Sequence, residues 1–124
     1  VSWKNVDQFL IIFRGGYYPD ELRNDAEFRK KEMARWMNWI EKLTGEGRFI
    51  AGQPLDPTGK VVSQRGQTIT DGPYPEGKEI VGGYFLIRAG DLDDAVRLCD
   101  DSPDWDYGGI IEVRRIARID GKDH

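Results

Sequence analysis

The apolar run at 9–13, FLIIF, closed by Gly15 and Gly16, predicts a strand buried on both faces and therefore central to a sheet. The period then changes. From about residue 25 to 43, Met33, Trp36, Met37, Ile40 and Leu43 recur at three and four residues, and this apolar stripe, widened on one flank by Trp39, predicts a long amphipathic helix. Pro19, Asp20, Glu21 and Asp25 suit its start; Gly45 and Gly47 suit the positive φ of a C-terminal cap. A short strand at 49–51 runs into GQPLDPTG, whose prolines and glycines do not suit a sheet interior. Two polar strands, near 60–63 and 68–70, follow around a turn at Arg65 and Gly66. The stretch 83–88 alternates, with Tyr84, Leu86 and Arg88 on one face and Phe85 and Ile87 on the other. Asp91 then stands where an N-cap belongs, and Leu92, Ala95, Val96 and Cys99 repeat at helical spacing. A last strand, 110–116, sets Ile111 and Val113 against Glu112 and Arg114.

The order strand, long helix, strand, loose hairpin, strand, shorter helix, strand predicts an α+β fold of the ferredoxin-like, split βαβ kind. Two helices cover only one face of such a sheet. With the first strand apolar on both sides, the open face calls for a cover, most simply a second copy in a two-fold homodimer. At 124 residues the chain is expected to be a single domain, residues 1–124, with its core at about 9–117.

Composition removes several function classes. Acids outnumber bases by 22 to 18 with the signs interspersed, so no basic stripe offers itself to nucleic acid. One cysteine, Cys99, forms no intramolecular disulfide, and one histidine, His124 at the very end, leaves little for a transition metal, so no metal and no cofactor are expected. Cys99, on the apolar face of its helix, reads as an inert core residue. The longest apolar run is strand-sized, which argues against a membrane span and for a cytoplasmic protein. The chain starts at Val1, which leaves an upstream leader open.

DGPYPEGKE, at 71–79, is the most particular stretch. Asp71 can bond the backbone two residues on, Gly72 takes φ values closed to other residues, and Pro73 fixes its own. Such a rigid turn either holds a site or only sets register. As a site, Asp71 is the first acid candidate, with Glu76, Lys78 and Glu79 close by and Tyr84 or Phe85 available to desolvate it. As plain structure, it is a solvated turn with a surface ion pair. Arg14, beside Gly15 and Gly16, is placed to reach a carboxylate or phosphate, or simply leads out of the sheet. Trp36 and Trp39 read as core or its flank. Trp105 and Tyr107, in the acidic loop PDWDYGG, suit contact with a partner or dimer mate.

DGPYPEGKEIVGGYFLI followed by DLDDAV, with SPDWDYGGIIEVRRI near the end, resembles the signature of the YCII-related family, specifically its DGPF branch. Tyr74 in place of Phe, and Arg115 in place of Pro, are mild departures. The resemblance spans most of 9–116 and implies a ferredoxin-like fold that dimerises sheet to sheet into a dimeric α/β barrel. Some YCII-like proteins are taken for enzymes on account of a His and an Asp in a cleft. The only histidine here is His124, so that dyad does not carry over, and proton transfer falls to carboxylates, Tyr or Lys. Two functions follow: a small-molecule-binding or regulatory accessory module, or a metal-independent enzyme using carboxylate acid/base chemistry on a small organic substrate. The residues expected to carry either are Asp71 and Glu76 as acids, and Arg14, Gly72, Pro73, Lys78 and Tyr84 as ligand contacts.

Overall fold

In the computed structural model, which describes residues 6–72 and 80–119, the first apolar run forms strand β1 (Gln8–Arg14). Its burial alternates: Phe9, Ile11 and Phe13 are buried, whereas Leu10, Ile12 and Arg14 are half-buried. The run is thus not buried equally on its two sides, because the helices pack on only one of them. β1 lies inside a four-stranded sheet of order β2-β5-β1-β6, made with β2 (Phe49–Pro54), β5 (Val81–Arg88) and β6 (Ile110–Arg115). All neighbours are antiparallel, and Ile11 stands opposite both Phe85 and Val113. Because β5 lies between β1 and β2, and β1 lies between β5 and β6, two split βαβ units interleave in the ferredoxin-like manner.

After a short helix α1 (Asp20–Arg23), α2 (Ala26–Gly45) starts at Asp25, whose side chain accepts from the Phe28 amide at 3.1 Å, and the chain turns out of it through Gly47 at φ +76°. Its buried stripe differs from the one the sequence suggests. Met33 and Met37 are exposed, and the covered face runs through Phe28, Glu32, Trp36, Trp39, Ile40 and Leu43. Trp39 is the reason: at its size it takes the centre of the face and not the flank, which rotates the helix and turns Glu32 inward.

Helix α3 (Leu92–Leu98) is capped as expected, Asp91 accepting from the Asp94 amide at 2.8 Å, but only Ala95 and Cys99 of its apolar set are buried while Leu92 and Val96 are exposed. The core is Phe9, Ile11, Phe13, Phe85 and Ile87 from the sheet against Trp39, Leu43, Ala95 and Cys99. Phe13 meets Trp36 and Phe85 edge to face at 5.1 and 5.0 Å; each such ring contributes roughly 1.5–3 kcal/mol by burial. Strand β2 runs on to Pro54, past the expected end, because an edge strand tolerates a residue without an N–H. The polar strands form a separate hairpin, β3 (Gly59–Ser63) with β4 (Thr68–Gly72), turned by Gln64, Arg65 and Gly66, all at positive φ.

Candidate functional site: a buried carboxylate pair

Three segments meet at the C-terminal end of β1: the Gly15-to-Tyr18 loop, the first half of α2, and a 3-10 turn at Pro103–Tyr107. The turn is strongly specified by sequence. Pro103 occupies its first position, the Ser102 hydroxyl accepts from the Asp104 amide at 3.3 Å, and Gly108 closes it in the left-handed region. Asp104 is thereby driven inward. A Cβ on Gly16 would lie 3.0 Å from its Oδ1, and one on Gly109 only 2.7 Å from its Cβ. The glycine after Arg14 and Gly15 therefore does admit something close to the backbone, and what it admits is the chain's own Asp104.

Asp104 is 9% exposed and Glu32, reaching it from α2, is 6% exposed. Glu32 Oε1 accepts from Arg35 Nη1 at 2.9 Å and, more loosely, from the Tyr107 hydroxyl at 3.4 Å, while Oε2 is buried without a partner among the described residues. Arg35 Nη2 bonds Asp106 at 2.7 Å. Tyr107, Tyr18 and Phe28 stand edge to face around the pair, with ring centres 4.7 and 4.9 Å from Tyr18. Burial, and then the charge of Glu32, push the Asp104 carboxyl up to about 6. Tyr18 is raised by its own burial and by Glu32, with a hydrogen bond from Trp36 opposing. Tyr107 is raised too, by desolvation and then by Glu32. Glu32 has Arg35 as counter-ion, whereas Asp104 keeps its proton into the near-neutral range, as a general acid does. On the far side of Arg35, a groove of about 340 Å³ opens between α2 and the turns that follow α3, lined by Arg35, Asn38, Trp39, Lys42, Asp101 and Pro103.

The residues singled out in the sequence are scattered. Asp71 lies on β4 with its side chain 88% exposed, in an ion pair with Lys60. Gly72 is buried, and a Cβ there would come within 2.4 Å of Val61 Cγ2, a packing reason for glycine. Pro73, Glu76 and Lys78 lie outside the described residues. Arg14 and Tyr84 share the helix-free face of the sheet; Arg14 Nη2 bonds Glu112 at 2.6 Å and its Nε is buried without a partner among the described residues. The Trp105 indole donates to the Cys99 carbonyl at 2.7 Å, and its ring is half-exposed. Tyr107 alone of the named set belongs to the carboxylate cluster. Glu32, Asp104, Tyr18 and Arg35 were not anticipated, and the available signal was a carboxylate in register with the Phe28, Trp36 and Leu43 stripe. Among the described residues no three His, Cys, Asp or Glu side chains converge as a metal-ligand set, and no helix is long and apolar enough to cross a membrane.

Fold and site together define a mixed α+β domain with an antiparallel sheet and an acid pair between sheet and helix. The chain belongs to the YCII-related domain family, whose model matches residues 15–120. Among solved structures it is similar to 5-chloro-2-hydroxyhydroquinone dehydrochlorinase (TftG) from Burkholderia phenoliruptrix AC1100, in complex with 2,5-dihydroxybenzoquinone: TM-score 0.50, 18% identity, covering 94% of this chain and 99% of that one. At that identity the likeness is one of fold. No curated protein matches the chain.

Proposed function

We propose that this chain, a single domain of the DGPF branch, binds a small molecule at the Glu32–Asp104 pair. The observation that carries this is Glu32: buried, tied at one oxygen to Arg35 and Tyr107, and without a donor at the other among the described residues. A buried acceptor left unpaired is costly, and a donor on a ligand is a partner that removes the cost. A second reading, metal-independent acid/base catalysis on a small organic substrate, is favoured by Asp104. A buried carboxyl pushed up to about 6 is poised to exchange a proton near neutral pH. That 2,5-dihydroxybenzoquinone is bound by the dehydrochlorinase of like fold is compatible with either reading and specifies no ligand for this chain.

In the same proposal two copies pair across their helix-free sheet faces as a dimeric α/β barrel. Its support is Leu10, Ile12, Tyr84 and Leu86, which that face leaves half-buried and which a second copy would cover. Native mass spectrometry reads stoichiometry and any retained molecule at once, and a monomer would contradict the pairing. The site is tested by a thermal-shift screen of small organic molecules against the wild type, Glu32→Gln and Asp71→Asn. Hits lost in Glu32→Gln and kept in Asp71→Asn support the carboxylate pair. The reverse pattern would move the site to the turn at Asp71.

A further inference from the structure

Two apolar pairs that helical spacing assigns to the core stay outside it. On α2, Met33 is 62% and Met37 45% exposed; on α3, Leu92 is 51% and Val96 49% exposed. Each pair is four residues apart and so stands as a ridge along its helix. One turn beyond Val96, the Cys99 carbonyl accepts at 2.7 Å from the Trp105 indole, which holds a half-exposed ring at the end of α3. Single apolar side chains are ordinary at a surface, whereas ridges on both helices of one layer make a surface that a partner can cover.

The charges beside the two ridges are opposite in sign. On α2, Arg29 and Lys30 are exposed in the turn before Met33, and neither has an ion pair among the described residues. On α3 and the 3-10 turn that extends it, Asp93 and Asp100 are exposed and likewise without an ion pair among the described residues, since the ion pairs of that helix run from Asp94 to Arg48 and Arg97. Every charged side chain from 91 to 107 except Arg97 is an aspartate. Such a surface repels nucleic acid and anionic membranes and fits an apolar ridge with cations beside it. The first half of α2, on another copy of this chain, is that ridge.

We propose that two copies associate through their helix layers, Met33 and Met37 of one against Leu92, Val96 and Trp105 of the other, with Arg29 and Lys30 facing Asp93 and Asp100. Both helices lie on the same side of the sheet, Trp39, Leu43, Ala95 and Cys99 closing one core. A two-fold axis between the layers therefore sets α2 of each copy on α3 of the other and makes the contact twice. The doubling matters, because one pair of ridges is small against the roughly 1,200 Å² that a stable interface buries. The helix-free sheet face and the acid pair take no part, so the proposal stands independently of both.

The test is sedimentation velocity of the whole chain from about 10 μM to about 1 mM at low salt. The expected result is a rise in mass above the unit present at the lowest concentration, half-complete by about 0.5 mM and suppressed when salt is raised to about 0.5 M. Met33→Ser/Met37→Ser and Leu92→Ser/Val96→Ser, all at exposed positions, should each remove the rise within that range. Lys30→Glu and Asp100→Lys should each weaken the association and together restore it; an acid early in α2 and a base at the end of α3 both suit the helix dipoles, so the fold stands. A mass that neither concentration nor the serine variants change, a loss in one serine variant but not in the other, or a double charge exchange weaker than either single change would each overturn the proposal.

Discussion

Replacing Asp104 by Asn isolates the energetic consequence of burying this acid. Folding raises the Asp104 carboxyl from 3.8 to about 6, close to two pH units, which at 1.36 kcal/mol per unit is about 3 kcal/mol. The sign follows from where the proton is. Below about pH 4 the group is protonated in both the folded and unfolded chain, and its contribution to stability is fully present. Between about 4 and 6 the unfolded chain ionises while the folded protein holds its proton, so stability falls as pH rises. Above about 6 the folded carboxyl must ionise as well and the whole penalty applies.

Asn has nearly the same shape and no charge, so it escapes that penalty. Asp104→Asn is therefore expected to unfold with a weaker loss of stability toward high pH than the wild type. About 2 kcal/mol of the difference should develop between pH 4.5 and 7.5, the remainder lying below that window. Urea unfolding at matched protein concentration, monitored by tryptophan fluorescence across that range, reads the difference directly. If wild type and Asp104→Asn lose stability in parallel, the carboxyl is not desolvated in the folded protein and the account of the site is wrong.

Glu32→Gln removes the second cause of the Asp104 shift, so the Asp104 titration, followed by carboxyl ¹³C NMR, should move below about 6 without returning to 3.8; an unmoved titration would show that the two acids are uncoupled. Gly109→Ala sets a methyl 2.7 Å from Asp104 Cβ and should cost about 1–3 kcal/mol in urea unfolding, whereas Gly45→Ala, in α2 with nothing within 4 Å, should stabilise by about 0.5–1 kcal/mol. Cys99, buried and pushed up to about 11, should escape alkylation by iodoacetamide at pH 8 in the native protein and react once the chain is unfolded; native labelling at the unfolded rate would contradict its burial.

The fold was legible because its signals are local. Alternation in β5, the Asp25 and Asp91 caps and the glycine exit from α2 each act within a few residues, and the element order then leaves few topologies. The site was not legible, for the opposite reason. Glu32 and Asp104 are 72 positions apart, and no local signal brings the two together. On the helical wheel Glu32 belongs to the stripe only if Trp39 is its centre, and centring it on Met33 and Met37 sends Glu32 to solvent. The turn at Asp71 drew attention by its composition, yet Gly72 answers to Val61 and Asp71 to Lys60, both local requirements of a hairpin.

The only histidine is His124, and the near-neutral titration that histidine usually supplies is provided here by a desolvated aspartic acid. The exchange is not symmetrical. A histidine passes from positive to neutral as pH rises, so it loses attraction for anions, whereas Asp104 passes from neutral to negative beside Glu32. Below about pH 6 Asp104 offers an O–H donor next to the Glu32 oxygens, a match for a ligand bearing both a donor and an acceptor. Above it, Asp104 adds a negative charge where the counter-ion is Arg35 at Glu32, and any ligand retained there must bring a positive charge or a second donor. A neutral ligand should therefore bind more weakly as pH rises through about 6 and a cationic one more tightly, so the pH dependence of the first authentic ligand will reveal its charge class before its structure is known.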